Sequence, residues 1–148
     1  MATGSVSALD QDTWQLVATN SPTSGTTSTF SSLSGYKKYM LVAEDITGTG
    51  GELRVTFNGS STNYTSVVPN GVANSKTFLI FTLNSSTNNA YMIIDNVNNG
   101  GPKIANGVDH TAYLNYGIWH TTDSITSITV TRTNAYTGGT LKLYGIAG

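Results

Sequence analysis

Residues 33–58, LSGYKKYMLVAEDITGTGGELRVTFN, constrain the fold more than any other part of the chain. From 39 to 46, apolar residues occupy both alternating sets of positions, as in a strand that is buried on both faces. Residues 47–51 then supply the glycines that a tight reversal needs. From 53 to 57, apolar and polar residues alternate with a period of two. This pattern predicts a β-hairpin in the middle of a sheet.

Short apolar runs separated by turn residues continue along the rest of the chain. Strands are predicted at about residues 13–19, 26–30, 76–83, 90–97, 103–105, 110–119, 124–133 and 140–146. We expect the strand at 26–30 to pair back on the strand at 13–19. The strand at 76–83 is expected to be buried on both faces, with the strand at 90–97 as its hairpin partner. Residues 58–74 are expected to form a looser region that opens with an Asn-Gly turn.

Eight to ten short strands with no helical periodicity predict an all-β fold. We expect a single antiparallel β-sandwich of the jelly-roll type at residues 12–148. Residues 1–11 are small and polar and are expected to form an N-terminal arm.

Composition excludes several classes of function. The net charge is −1 and only 10% of residues are charged, so no basic surface for nucleic acid or for an anionic membrane is expected. No apolar run approaches the roughly 18 residues of a membrane span, and the N-terminus lacks the features of a secretory signal. The absence of cysteine excludes a disulfide framework and thiolate chemistry. We expect a protein that is made in a cytoplasm.

The two histidines are poor candidates for a shared site. His110 and His120, with Asp109 and Asp123 beside them, flank one predicted strand. At about 3.3 Å per residue they would lie roughly 30 Å apart, at opposite ends of the strand. An acid/base pair or a metal cluster is therefore not expected.

Carboxylates offer only minor alternatives. Glu44 and Glu52 would face each other across the predicted hairpin, within the roughly 5–9.5 Å that glycoside hydrolysis needs. Asp45, Asp95 and Asp123 could bind calcium, but no D-x-D-x-D-G loop is present. The chain also lacks G-x-S-x-G, H-E-x-x-H and P-loop motifs. We therefore expect a protein that is not an enzyme and has no cofactor and no metal site.

Aromatic side chains in polar loops are the better candidates for binding. Six of them lie in or near Asn/Ser/Thr-rich segments: Tyr64, Tyr91, Tyr113, Tyr116, Trp119 and Tyr136, with Asn63 beside the first. A ring next to amide and hydroxyl groups is typical of carbohydrate-binding and protein-binding surfaces. The rings could equally cap the ends of the sandwich, and both alternatives remain open.

Several segments resemble a class of small virion proteins of tailed bacteriophages. They are DTWQLVAT, FSSLSGYKKYMLVAEDI, LRVTFNGSSTNY and ITSITVTRTNAYTGGTLKLYGIAG, and the strongest markers are residues 35–39, 57–59 and 139–146. The resemblance runs from about Asp12 to the C-terminus. It implies a β-sandwich in symmetric oligomers on the outside of a particle.

Within that class, a short polar arm without a fibrous shaft favours a capsid decoration (cement) protein. The resemblance then implies a homotrimer on the virion surface with the major capsid protein as its partner. The arm could add a strand to a neighbour's sheet, or it could be disordered. The alternative is a receptor-binding or carbohydrate-binding domain of a tail or head fibre, with a host-surface glycan as its ligand.

Overall fold

The computed structural model describes residues 13–68, 71–82, 86–98 and 100–148. Every regular element in these ranges is a strand. The first six are β1 (Gln15–Asn20), β2 (Thr27–Phe30), β3 (Tyr36–Thr47), β4 (Leu53–Phe57), β5 (Tyr64–Val68) and β6 (Gly71–Lys76). The other six are β7 (Leu79–Thr82), β8 (Thr87–Asp95), β9 (Lys103–Asp109), β10 (Leu114–Trp119), β11 (Ile128–Arg132) and β12 (Gly138–Ala147). The predicted arm, residues 1–11, lies outside the described residues.

The strands form two antiparallel sheets that pack as a sandwich, which confirms the predicted fold class. The larger sheet has the order β1-β12-β3-β8-β9-β10-β5-β6, and the smaller has the order β2-β11-β4-β7. The chain passes between the sheets from β1 to β2, β2 to β3 and β3 to β4, as expected of jelly-roll connectivity. Two pairs, β5–β6 and β9–β10, extend the larger sheet beyond β8.

The hairpin predicted at residues 33–58 is wrong, because β3 and β4 lie in different sheets. The glycine-rich segment between them crosses from one sheet to the other. Arg132 holds this crossing: its Nη2 donates a hydrogen bond to the carbonyl oxygen of Gly50 at 2.7 Å. Asn134 donates from Nδ2 to the carbonyl oxygen of Thr49 at the same distance. Glycine suits a crossing as well as a hairpin turn, so local turn chemistry did not distinguish them.

Other predicted strand partners are wrong for the same reason. β2 pairs with β11 rather than with β1, and β7 pairs with β4 while β8 pairs with β3 and β9. In a Greek-key arrangement, strands that are consecutive in the chain often face each other across the core instead of pairing. The region expected to be looser contains β5 and β6, which pair with each other.

β3 and β7 are buried on one face only, although both were predicted to be buried on two. In β3, Leu41 and Ala43 are buried while Met40 and Val42 are half-buried. In β7, Leu79 and Phe81 are buried while Ile80 is half-buried. The second apolar set therefore faces outward.

The core lies between the two sheets. Val55 and Phe57 point into it from the smaller sheet, and Leu41, Met92 and Leu143 point into it from the larger sheet. Leu141 and Leu143 of β12, the strand predicted at 140–146, both point inward and are buried. Within the described ranges, no helix is long and apolar enough to cross a membrane.

Candidate binding surface

Three of the six aromatic candidates are buried, as the alternative that they cap the sandwich requires. Tyr64 and Tyr136 are each 1% exposed and Trp119 is 3% exposed. The rings of Tyr64 and Trp119 stack at 5.8 Å between centroids and 14° between planes, and Phe57 packs against both. We call Phe57, Tyr64 and Trp119 the aromatic cluster. Cross-strand ring contacts of this kind stabilise the end of the sandwich.

The hydroxyls of the two buried tyrosines are bonded to backbone. The Tyr64 hydroxyl accepts a hydrogen bond from the backbone N–H of Phe57 at 2.8 Å. The Tyr136 hydroxyl donates to the carbonyl oxygen of Val130 at 3.1 Å. Burial raises the pKa of Tyr64 to about 12 and raises the pKa of Tyr136 as well. Both side chains are structural caps, because their polar atoms are used inside the fold.

The other candidates are exposed, as expected, and their role in binding stays a prediction. Tyr91 lies on β8 and Tyr116 on β10, each 44% exposed, while Tyr113 lies in the β9–β10 turn. Asn63 is exposed with a φ of 68°, and its carbonyl oxygen accepts from the backbone N–H of His120 at 2.8 Å. The structure does not gather these four residues into one pocket; it places Tyr91 and Tyr116 on the same side of the larger sheet.

The outward side of the larger sheet, which we call the outer face, carries an apolar row across seven strands. The register places its members side by side: Val67, Tyr116, Asn106, Ile93, Met40, Tyr144 and Leu16. Directly paired residues in antiparallel strands point to the same side of a sheet. Six of the seven side chains are apolar or aromatic, so the outward surface of this sheet is unusually hydrophobic for a solvent-facing side.

Two further rows flank the apolar row and complete the outer face. Their apolar members are Ile104, Ile118 and Ile146 on one side, and Leu114, Val108, Tyr91 and Val42 on the other. Exposure is high at the β9–β10 end, where Ile104 is 46% and Leu114 is 51% exposed. The sequence signal for this surface is present in β3 as apolar residues on both alternating sets, which we interpreted as burial on both faces.

Charged side chains within the outer face are paired with each other. Lys38 Nζ lies 2.7 Å from Asp95 Oδ1 on the neighbouring strand. Lys142 Nζ lies 2.7 Å from Glu44 Oε2, and the hydrogen bond with that carboxylate raises the pKa of Lys142. The outer face therefore has no net charge from these four groups.

The smaller sheet has a different outward side. Its outward positions on β2, β4 and β11 are mostly threonines, which we call the threonine face: Thr27, Thr29, Thr56, Thr129 and Thr131. The Oγ1 atoms of Thr29 and Thr129 are hydrogen-bonded at 3.0 Å. One side of the sandwich is thus polar, as expected for contact with water, and the other side is apolar.

A shallow groove of about 440 Å³ lies on the outer face where β5, β10 and β9 adjoin. The side chains of Tyr116, Asn106, Ile118 and Thr65 contribute to its lining. It combines one aromatic ring, one amide and one hydroxyl with aliphatic walls. Tyr116, one of the residues predicted to bind a ligand, therefore lines a recess on the outer face.

The histidines lie apart, as predicted. His110 follows β9 in the turn, and His120 directly follows β10 at the strand's other end. His120 Nε2 is hydrogen-bonded to Thr65 Oγ1 at 3.0 Å. The carboxylate of Asp109 accepts from the backbone N–H groups of Thr111 at 3.0 Å and Tyr113 at 3.2 Å, so it shapes the turn.

The carboxylates considered for glycoside hydrolysis or calcium binding do not have the arrangement that these functions need. Glu44 and Glu52 do not face each other across a hairpin, because that hairpin does not form. Glu44 is paired with Lys142, and Glu52 is paired with Arg54. In the described part of the chain, no group of three or more histidine, aspartate or glutamate side chains could hold a metal ion.

Two buried cations were missed by sequence reasoning. Lys103, on β9, is fully buried and its Nζ donates to the carbonyl oxygen of Gly101 at 2.8 Å. Burial lowers its pKa, with a smaller opposing effect from Asp123. Burial likewise lowers the pKa of Arg132, which holds the β3–β4 crossing. A lysine or arginine at an inward strand position indicates a buried cation. Recognising that position requires the strand register, which sequence reasoning did not supply.

No protein-family model and no curated protein matches this sequence.

Proposed function

We propose that the protein is a non-enzymatic structural component of a tailed-bacteriophage particle. Its specific role is that of a capsid decoration (cement) protein, which binds the outer surface of the capsid and stabilises it. Its partners are the major capsid protein and further copies of itself in a homotrimer, and its location is the virion surface.

The observation that carries the proposal is the outer face. Cementing requires broad contact surfaces and no catalytic group, and extended exposed apolar patches mark protein–protein interfaces. The apolar row crosses seven strands, and Lys38–Asp95 and Lys142–Glu44 neutralise each other within the face. By contrast, the acid/base candidates are dispersed: His110 and His120 lie at opposite ends of β10.

The markers of the resemblance support the proposal at the level of the fold. Phe57 belongs to the aromatic cluster, and the amide of Asn58 links β4 to the segment before β11. Its Oδ1 accepts from the backbone N–H of Thr126 at 2.7 Å, and its Nδ2 donates to the carbonyl oxygen of Ser124 at 2.8 Å. In β12, a Cβ on Gly145 would lie 2.3 Å from the ring of Tyr36. These motifs build the sandwich.

Copy number in purified virions tests the proposal. Quantitative mass spectrometry against the major capsid protein is expected to give hundreds of copies per particle, as a lattice role requires. A handful of copies would place the protein at the tail or at a unique vertex and would reject the cement role.

A second candidate function is receptor or carbohydrate binding at a tail or head fibre. The groove beside Tyr116 favours it, because a ring and the Asn106 amide in one recess can stack on and hydrogen-bond to a sugar. Tyr116→Ala and Asn106→Ala would then abolish binding to host cells or to a glycan array, whereas Thr27→Ala on the threonine face would not. Binding that survives both groove substitutions would reject this function.

A further inference from the structure

We infer that the groove beside Tyr116 binds an uncharged, linear oligosaccharide, and that Tyr91 provides a second ring on which this ligand stacks. The inference rests on the second candidate function and deepens it, because it names the class of glycan, its minimum length and a further contact residue. We call Tyr91, Asn106 and Tyr116 the two-ring platform.

The two rings lie on the same side of the larger sheet, with one strand between them. Tyr116 on β10 pairs with Asn106 of β9, and Tyr91 on β8 pairs with Val108 of β9. The rings are therefore offset by two strand spacings in one direction and by two residues in the other. At about 4.8 Å per strand and about 3.4 Å per residue, their attachment points lie about 12 Å apart. One sugar ring cannot contact both, whereas an extended trisaccharide can place its first unit on one ring and its third on the other.

The polar atoms of the two-ring platform are not used inside the fold. Tyr91 and Tyr116 are each 44% exposed, and neither hydroxyl has a hydrogen-bond partner within the described part of the chain. The same is true of the side-chain amide of Asn106, which is half-buried beside Tyr116. The buried hydroxyl of Tyr64, by contrast, is bonded to the backbone of Phe57. An amide next to a ring can hydrogen-bond to sugar hydroxyls while the ring packs against the C–H face of the sugar.

The groove has the charge and the size of a site for an uncharged small ligand. Among the described residues that line it, none is an aspartate, glutamate, lysine, arginine or histidine. At its border, Asp95 pairs with Ile104 across the strands, and Lys38 Nζ lies 2.7 Å from the Asp95 carboxylate. An acidic sugar would lose hydration there without gaining a counter-charge. The volume of about 440 Å³ lies within the range of about 300–1,000 Å³ that is typical of small-molecule sites.

The test is binding of the purified protein to a glycan array that carries neutral and acidic chains of one to six sugar units. We expect binding to neutral chains only, with an affinity that rises by about tenfold from the disaccharide to the trisaccharide and then levels off. Tyr91→Ala is expected to remove this rise and to leave binding of the disaccharide unchanged, because only the longer chain reaches the second ring. Tyr113→Ala is the matched control: it removes an equally exposed ring from the β9–β10 turn and is expected to bind both chains like the wild type.

Equal affinity for the disaccharide and the trisaccharide would overturn the inference, and so would binding to acidic chains only or a Tyr91→Ala variant that keeps the rise. Each of these results would leave glycan binding itself intact, whereas a protein that binds no glycan would reject both the inference and the second candidate function. If a variant fails to fold, NMR of the wild-type chain with the bound trisaccharide decides instead. We expect contacts from the sugar to the rings of both Tyr91 and Tyr116; contacts to Tyr116 alone would also overturn the inference.

Discussion

Replacing Tyr64 with phenylalanine is expected to destabilise the fold through the loss of one buried hydroxyl and its hydrogen bonds, the shortest of which comes from the backbone N–H of Phe57. The hydroxyl accepts from the backbone N–H of Phe57 at 2.8 Å inside the protein. Tyr64→Phe keeps the ring and its stacking on Trp119 but leaves that N–H without its acceptor. A buried polar group that loses its partner costs about 1–3 kcal/mol. For a chain of this size, that corresponds to a fall in Tm of about 2–12 °C.

Chemical denaturation followed by tryptophan fluorescence measures the effect, because Trp119 lies in the aromatic cluster. Tyr116→Phe is the matched control: it removes the same hydroxyl from a side chain that is 44% exposed, and its free energy of unfolding is expected to stay within about 0.5 kcal/mol of wild type. An equal midpoint for Tyr64→Phe and wild type would refute the reasoning.

Two further outcomes follow from burial and close packing. Burial raises the pKa of Tyr39 and of Tyr64 to about 12 from the ordinary 10.0, so above pH 10 the unfolded chain loses protons that the folded chain keeps. The free energy of unfolding is therefore expected to fall between pH 10 and 12, by up to about 2.7 kcal/mol for each tyrosine. Urea titrations at several alkaline pH values measure this fall. A free energy of unfolding that does not change over this pH range would contradict the prediction. Gly107→Ala would place a Cβ 2.0 Å from the carbonyl oxygen of Tyr91 and is expected to cost about 3 kcal/mol, whereas Gly100→Ala, with open space around it, is expected to leave the denaturation midpoint unchanged.

Sequence reasoning found the strands but not their partners. Period-two alternation located β4, β11 and β12, since alternation depends only on which side of one strand is buried. Partner choice depends on how the whole chain returns, and β3 pairs with a strand that begins almost a hundred residues later. Closeness in the sequence therefore favoured hairpins such as β3–β4. In the structure, these consecutive strands lie in different sheets and do not pair.

The same limit applies to the candidate surface. Tyr64 and Tyr91 both follow polar Asn/Ser/Thr segments, yet the first points into the core and the second points outward. Their directions depend on the register with β10 and β9, respectively. The sequence indicates the outer face only through the additional apolar residues of β3. The strand pairing is needed to show that Met40 lies beside Ile93 and Tyr144 in one row.

The position of the last two strands has a consequence for synthesis on the ribosome. β12 lies between β1 and β3, and β11 lies between β2 and β4, so each sheet has a gap until the final strands arrive. While the chain is being made, β1 and β2 emerge first yet have no neighbours to pair with. Strands β1 and β2 therefore stay unpaired until residues 128–147 have left the exit tunnel, and a stalled or truncated chain would present unpaired strand edges to which chaperones or other copies can bind.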